Sequence, residues 1–376
     1  MEFIPYGLHS IDEEDIQEVI KTLKSDWLTT GPKVNEFEDA ICKYVGCKHT
    51  VAVNSGTSAL DIAVQCLDLP NKSEIITSPF TFVATSNSIL YNNLKPVFVD
   101  IERETRNIGP KEIEKKITKK TQAIIYVDYA GHPCEIDEIK EIAENHNLSL
   151  IEDASHSIGA EFKGKKIGNF ADMTIFSFHP VKNITTGEGG AILTNNYEYY
   201  EKLKTLRNHG INKDAKERYG NEAGYAYDMT MLGRNYRITD IQCALGISQL
   251  KKLDYFVKER KRMSEIYTKY LSELEFIDTP ITKDYVKHAW HLYTILINGL
   301  DRDNIFAKLR KMNIGVNVHY IPIYKFTYYK ENFNFNPKKF PVTEDIFKKI
   351  ISLPIFPKMN LEQQTYVVDK LYKLIK

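Results

Sequence analysis

Residues 177–190 read SFHPVKNITTGEGG and place one lysine, Lys182, in a loop of small and hydroxyl-bearing residues. Apolar runs typical of strands enter this loop at 173–176 and leave it at 191–194. Most lysines are solvated surface charges, and that is the alternative interpretation of Lys182. Because no charged residue lies closer along the chain than Glu188, we expect desolvation to lower the pKa of this amine. A neutral amine at the end of a strand is what a Schiff-base lysine requires.

On either side of this loop, short apolar runs alternate with amphipathic helices. The pattern predicts strands at 51–53, 74–77, 96–100, 123–127, 149–152, 173–178 and 191–193. It predicts helices from a capping box at 10–13 to residue 23, and at 34–44, 57–67, 84–91, 110–117 and 136–146. Val/Ile-rich runs separated by helices indicate a mostly parallel sheet covered on both faces. Ligands of such sheets bind at the carboxyl ends of the strands.

The pattern changes beyond residue 238. A capping box at 239–242 opens a long helix that runs, straight or kinked, to about residue 271. A strand at 290–297, a helix at 304–312, a strand at 316–320 and two closing helices follow. We therefore predict two domains: an N-terminal arm and large domain at 1–238, and the long helix and a smaller α/β domain at 239–376. The Asn/Lys/Tyr-rich residues 324–339 are predicted to be a mobile loop.

Composition limits the possible functions. The chain has 376 residues, with 50 Lys and Arg against 50 Asp and Glu. Because the net charge is zero, binding to nucleic acid or a membrane surface through bulk charge is disfavoured. Cys42 and Cys47 lie near His49, but no second ligand pair follows, so no metal site is predicted. With no signal peptide and no apolar run near ~18 residues, we expect a soluble, cytosolic protein whose five cysteines are reduced.

Three further motifs carry polar or aromatic residues at predicted strand ends. NSGTSAL at 54–60 begins a helix whose free amides could bind a phosphate, although an ordinary N-cap without a ligand would have the same sequence pattern. Asp153 in EDASHS could pair with a protonated pyridine nitrogen, or be a solvated acid. Phe82 in PFTFVAT could stack on a flat ring, or pack in the core. GRNYRI at 233–238 gathers polar and cationic side chains before the long helix, as an anion site or a solvated turn would.

The combination is more specific than any single motif. A shielded lysine, a phosphate-suited helix start, a carboxylate and an aromatic ring all follow strands of one predicted sheet. These are the groups that bind pyridoxal 5′-phosphate.

With these motifs assembled, the sequence resembles the DegT/DnrJ/EryC1/StrS family of pyridoxal-phosphate-dependent nucleotide-sugar aminotransferases. The resemblance covers nearly the whole chain and rests on SDWLTTGP (25–32), SGTSAL (55–60), FTFVAT (80–85), YAGHP (129–133), EDASHS (152–157), the lysine loop, GRNYRITDIQCALG (233–246), VHYIPIY (318–324) and SLPIFP (352–357). SDWLTTGP, VHYIPIY and AWHLY (289–293) resemble most the branch that makes pseudaminic acid precursors. The resemblance implies fold type I, the aspartate aminotransferase-like fold, with a seven-stranded, mostly parallel sheet and a smaller C-terminal α/β domain.

The resemblance also implies roles for individual residues. Lys182 would be the Schiff-base lysine, Asp153 the partner of the pyridine nitrogen and His156 a neighbour of the cofactor's phenolic oxygen. Phe82 would stack on the ring, and the phosphate would be held by Gly56, Thr57 and Ser177. Asn235 and Arg237 match residues lent across a homodimer to the neighbouring site. Sugar-nucleotide contacts are implied for Tyr6, Asp26, Trp27, Leu28, Thr29, Tyr320, Ile321, Pro322 and Ile323.

The implied reaction moves an amino group from L-glutamate to C4 of a UDP-linked 4-keto-6-deoxy-N-acetylhexosamine. Alternatives are a dTDP- or GDP-linked 4-keto or 3-keto sugar, an amino-acid aminotransferase, and a regulatory protein without catalysis. A family dehydratase would carry histidine at the position of Lys182. The sequence departs from the family pattern at residues 72–74, at Asp128, where histidine is common, and at Arg234, where an aromatic residue is frequent. These departures concern the substrate rather than the cofactor.

Overall fold

The structure is a computed structural model that describes residues 1–212 and 227–375. The helices are α1 (Glu13–Leu23), α2 (Pro32–Val45), α3 (Gly56–Cys66), α4 (Val83–Tyr91), α5 (Pro110–Glu114), α6 (Ile136–His146), α7 (Tyr197–Arg207), α8 (Asp240–Lys251), α9 (Leu253–Leu271), α10 (Arg302–Lys311), α11 (Thr327–Asn332), α12 (Pro341–Lys349) and α13 (Leu361–Ile375). Short 3-10 turns span Tyr129–Gly131, Ile323–Lys325 and Pro337–Lys339.

The strands are β1 (His49–Val53), β2 (Glu74–Thr77), β3 (Lys95–Phe98), β4 (Thr121–Val127), β5 (Ser149–Asp153), β6 (Glu161–Phe162), β7 (Lys165–Lys166), β8 (Met173–Ser177), β9 (Gly190–Thr194), β10 (Ile277–Asp278), β11 (Val286–Lys287), β12 (Tyr293–Ile297) and β13 (Ile350–Leu353). Seven of them form one sheet in the order β1-β9-β8-β5-β4-β2-β3. Only β9 in this sheet runs antiparallel to its neighbours, which confirms the predicted mostly parallel sheet.

Helices cover both faces of the large sheet. Alternate strand residues point to opposite faces, so Ala52 of β1 belongs to the apolar cluster that includes residues of α2, α6 and α8, whereas Val51 and Val53 belong to the cluster that includes residues of α3, α4 and α7. Burying one such apolar side chain contributes about 1.5–3 kcal/mol. The two apolar layers cover the faces of the sheet but not its carboxyl edge. The motifs that follow the strands all lie at this edge.

The C-terminal part forms a second core. Strands β10, β12 and β13 make a three-stranded sheet, and its apolar residues cluster with those of α9, α10 and α13. Ile4, near the start of the chain, is fully buried in this cluster and pairs with Ile314. The N-terminal arm is therefore fastened to the C-terminal core.

Several predicted boundaries were wrong. Asp12 rather than Ser10 caps α1, through a capping box with Asp15. The long helix ends at Leu271, as predicted, and is broken once: α8 ends at Lys251, Lys252 caps it, and α9 begins at Leu253. The capping box of Thr239 is confirmed, while α5 is shorter than predicted and ends at Glu114.

Two predictions in the C-terminal part also need correction. Residues 316–320 are not a strand and make a single bridge from Asn317 to Ser352, since the chain then turns toward the large sheet. The strand that completes the small sheet is instead β13. Residues 324–339 are not an open loop: they contain α11, and Tyr329 is buried with hydrogen bonds to Ser86 and Asn87.

Within residues 1–212 and 227–375, every helix is too short or too polar to cross a membrane. The same residues contain no cluster of His, Cys, Asp and Glu side chains that could hold a metal ion.

Candidate active site

Lys182 lies in the loop between β8 and β9, at the carboxyl edge of the large sheet. Its backbone N–H donates to His179 O at 2.9 Å, and the residue is half-buried. Across the described residues its Nζ makes no hydrogen bond or ion pair. Desolvation by burial lowers the pKa of Lys182 to about 8, against an opposing effect of Asp153. Roughly one tenth of this amine is therefore neutral at pH 7, far more than for an ordinary lysine.

Three histidines surround the lysine and are neutral. Burial, together with the charge on Lys182, lowers the pKa of His156 and His291 far below the usual value and that of His319 to about 3. The rings of His156 and His291 lie 4.4 Å apart. Because none of the three offers a negative charge, none stabilises the ammonium form of the lysine.

The hydrogen bonds of His156 define its tautomer. Its Nδ1 accepts from the backbone N–H of Ala130 at 3.3 Å, so the ring proton lies on Nε2. Nε2 then donates to Tyr320 Oη at 3.0 Å. This bond joins the EDASHS motif to the VHYIPIY motif, which lies 164 residues further along the chain.

Asp153 ends β5 and is held by three donors. Thr85 Oγ1 donates to Oδ2 at 2.7 Å, and Ser155 donates to Oδ1 from its hydroxyl at 2.6 Å and its amide at 3.3 Å. Thr85 is itself paired with the hydroxyl of Thr81 at 3.0 Å. Donors on both oxygens restrict the rotation of this carboxylate and fix its orientation.

The start of α3 meets the end of β8. Gly56 and Thr57 are the first two residues of the helix, so their amides have no acceptor within it. A Cβ on Gly56 would lie 2.8 Å from Ser177 Cβ, and only glycine allows this approach. The result is a small cradle of amide and hydroxyl donors at a helix N-terminus, which suits a phosphate.

Two aromatic side chains border the lysine and its carboxylate. Phe82 caps α4 with 57% of its surface exposed, and its ring centroid lies 6.4 Å from that of Tyr320. Tyr6 packs its ring 5.2 Å from His319, and a Cβ on the adjacent Gly7 would lie 3.4 Å from Val181. The N-terminal arm thus reaches the lysine loop.

Asp128, one of the departures from the family pattern, fixes the loop that carries His156. It is fully buried and accepts hydrogen bonds from Ser157 Oγ at 2.7 Å and from the backbone N–H of Cys134 at 3.0 Å. Burial raises the pKa of Asp128 to about 7. The carboxyl ties the loop after β4 to the loop after β5, and both loops contact His156.

The remaining predicted residues lie in two places. Ile321, Pro322 and Ile323 follow Tyr320, and the amide of Ile323 donates to Pro79 O at 2.9 Å. Residues 26–29, including Asp26, join the start of α8, where Leu28 O accepts from Asp240 N and Thr29 pairs with Thr239.

Trp27 and Arg237 line a separate cavity of about 880 Å³, which we call the outer cleft. Arg237 donates to Asn208 Oδ1 at 3.0 Å, and Asn208 pairs with Asn235. Among the residues the structure describes, the lining of the outer cleft does not include Lys182, Asp153 or His156.

Four site residues had no predicted role although their motifs were recognised: Thr85, Ser155, His291 and His319. The motifs themselves could have indicated these residues, since each lies in one of the runs FTFVAT, EDASHS, AWHLY or VHYIPIY. His291 Nδ1 is buried and, as far as the structure is described, has no hydrogen-bond partner. An unpaired polar atom beside the lysine indicates a site built to receive a polar ligand.

These groups fit pyridoxal phosphate by their chemistry: an amine without a partner, an oriented carboxylate, a helix N-terminus lined by hydroxyls and an exposed aromatic face. The model of the DegT/DnrJ/EryC1/StrS aminotransferase family matches residues 9–372. The chain belongs to this family. It is therefore an aminotransferase, and its fold is fold type I.

Similar proteins support the same assignment. An uncharacterised protein of Methanocaldococcus jannaschii is 47% identical, covering 99% of this chain and 98% of that protein. The UDP-4-amino-4,6-dideoxy-N-acetyl-β-L-altrosamine transaminase of Campylobacter jejuni is 41% identical, covering 99% and 97%.

Solved structures superpose along nearly the full length. Helicobacter pylori PseC, described as an aminotransferase of pseudoaminic acid biosynthesis, has a TM-score of 0.94 at 35% identity and covers 100% of this chain and 99% of its own. A putative sugar aminotransferase of Streptococcus pneumoniae, solved in a PLP form, has a TM-score of 0.92 at 29% identity, covering 99% and 98%. Its PMP form has a TM-score of 0.93 at 30% identity with the same coverage.

Proposed function

We propose that this DegT/DnrJ/EryC1/StrS family member transfers the amino group of L-glutamate to C4 of a UDP-linked 4-keto-6-deoxy-N-acetylhexosamine. As a member of the family the chain is a sugar aminotransferase, and its cofactor is pyridoxal 5′-phosphate. The observation that carries the proposal is the half-buried Lys182 amine, which has a lowered pKa and no partner among the described residues, near the fixed carboxylate of Asp153.

Each part of the cofactor has a matching group in the chain. The amides of Gly56 and Thr57 and the hydroxyl of Ser177 would hold the phosphate, and the exposed face of Phe82 would cover the ring. Asp153 would keep the ring nitrogen protonated, since an adjacent carboxylate favours the charged form. When bound, the group supplies an electron sink for the bond broken at the substrate's amino-bearing carbon.

Lys182 would carry the proton. Its amine, roughly one tenth of which is neutral at pH 7, can accept a proton from the donor's Cα and return one to the sugar's C4. The neutral ring of His156 cannot take the proton first, because burial disfavours its charged form. Instead, His156 holds the hydroxyl of Tyr320 through Nε2–H.

The sugar nucleotide would be bound where the N-terminal arm meets residues 320–323. Tyr6 and Tyr320 flank His319. The name of the C. jejuni relative and the description of PseC support a UDP-linked 4-amino-4,6-dideoxy sugar of the pseudaminic acid type. We further propose a cytoplasmic homodimer in which Asn235 and Arg237 serve the neighbouring subunit's site.

The substrate is tested with a panel of UDP- and dTDP-linked 4-keto-6-deoxy sugars, with L-glutamate as donor and mass spectrometry of the amino-sugar product. We expect the UDP-linked N-acetylated substrate to have the highest kcat/KM. Replacing glutamate by aspartate should reduce the rate. Faster turnover of a dTDP-linked sugar would contradict the proposal that the substrate is UDP-linked. Binding of cofactor without turnover of any sugar would favour a regulatory role.

A further inference from the structure

The C-terminus of α2 brings two cysteines together. The helix ends with Gly46 in the left-handed conformation (φ 85°), and the N–H of Gly46 donates to Cys42 O at 2.7 Å. In this type of cap, the residue after the glycine contacts the residue whose carbonyl is bonded. Those two positions are Cys47 and Cys42, so the local backbone itself puts the thiols side by side.

The two sulfurs are close to bonding distance. Cys47 Sγ donates to Cys42 Sγ at 3.7 Å, while a disulfide requires about 2.0 Å. Both sulfurs also contact Thr50 Oγ1, at 3.1 Å from Cys42 and 3.6 Å from Cys47. To form the bond, the two sulfurs would have to approach each other by less than about 2 Å.

The two thiols differ in reactivity. The S–H of Cys47 donates to Cys42, which lowers the pKa of Cys42 and raises that of Cys47. Cys42 is half-buried and borders the outer cleft, where the carboxylates of Glu38 and Asp39 oppose the lowered pKa but are outweighed by the hydrogen bond from Cys47. A partly exposed thiol with a lowered pKa is the attacking thiol of an exchange reaction.

The other cysteines do not share these properties. Cys66, Cys134 and Cys243 are buried, and burial raises the pKa of each. Oxidation should therefore be confined to the pair at the end of α2.

We propose that Cys42 and Cys47 form a reversible redox site that reacts with low-molecular-weight disulfides such as oxidised glutathione. The thiolate of Cys42 attacks one glutathione sulfur, forming a mixed disulfide and releasing one glutathione thiolate. Cys47 then loses its proton and attacks Cys42 Sγ, which forms the Cys42–Cys47 bond and releases the second glutathione. Two electrons pass from the two cysteines to oxidised glutathione, and both cysteine protons end on the released glutathione thiols.

The test treats the full-length, cofactor-loaded protein with oxidised glutathione, quenches in acid, alkylates free thiols and digests with trypsin. Cleavage at Lys43 separates the two cysteines. A disulfide therefore joins peptide 34–43 to peptide 44–48, and dithiothreitol should release them. We expect the linked pair to be the main product and alkylation at both sites to fall at least tenfold, with Cys66 unchanged.

Two variants separate the steps. Cys47→Ser should stop at a glutathione adduct on Cys42, and Cys42→Ser should form neither the adduct nor the link. Cys66→Ser, the matched control, should behave as wild type. The proposal fails if wild-type protein retains a stable glutathione adduct on Cys42, or if both thiols stay fully alkylatable while the same treatment links them in urea-unfolded protein.

Discussion

The carboxyl edge of the large sheet and the outer cleft differ in whether one chain supplies all the groups that their proposed roles require. At the edge, His156 shares a hydrogen bond with Tyr320, and Asp153 and His156 interact electrostatically with Lys182, all within one chain. The outer cleft collects Trp27 and Arg237, which the family resemblance assigns to substrate and cofactor, away from that edge. In the proposed homodimer, proton transfer would use groups of one chain, whereas Arg237 would serve the site of the neighbouring subunit.

The largest expected effect tests the edge directly. Lys182→Ala should reduce kcat by about 10³-fold or more, because it removes the amine proposed to carry the proton. The visible absorbance band of the cofactor-loaded protein should also be lost. Lys163→Ala, which removes an exposed cation paired with Asp137, is the control and should remain active. A yellow, active Lys182→Ala protein would show that the edge is not the reaction centre.

Asp153→Asn should reduce kcat by about 100-fold, since the amide cannot stabilise a protonated ring nitrogen. Thr85→Val removes one hydrogen bond to the same carboxylate and should reduce kcat by about tenfold. The measurement is kcat at saturating donor, together with the absorbance maximum of bound cofactor. Equal effects of the two substitutions would mean that Asp153 acts through the local structure and not through its charge.

The rate at which cofactor-free protein captures pyridoxal phosphate should rise with pH and level off above about 8, the pKa of Lys182. The neutral amine increases from about 1% at pH 6 to about half at pH 8, so the rate should rise about 50-fold. His156 and His291 stay neutral over this range and add no further step. Stopped-flow absorbance measures the rate, and a flat profile would contradict a titrating lysine.

The smallest effect tests the outer cleft. Arg237→Ala should weaken cofactor binding by about tenfold, the loss of one charge-assisted contact to phosphate. At a cofactor concentration that leaves the Arg237→Ala homodimer mostly empty, co-expression with Lys182→Ala should restore activity, since a mixed dimer holds one intact site when sites are shared. Random pairing gives about one quarter of the wild-type sites. If verified mixed dimers show no restored activity, Arg237 acts in the site of its own subunit.

Much of the fold followed from local patterns. The predicted strands of the large sheet and the helices between them match the observed elements to within a few residues. The C-terminal part was harder to predict, because residues 316–320 have a strand-like composition but use His319 and Tyr320 for contacts to Ser352 and His156. Residues 324–339 are polar in composition yet held by the buried ring of Tyr329.

The sequence by itself determined which chemical groups the protein has and that they follow strands, because strand periodicity, capping residues and a glycine-bearing helix start are local properties. It thereby located Lys182, Asp153, Gly56 and Phe82. Only the tertiary structure decided that burial lowers the pKa of Lys182, that His291 and His319 lie beside it, and that Arg237 faces a different cavity. Those relations depend on contacts between residues more than 100 positions apart, and such contacts follow from how the sheets and helices pack.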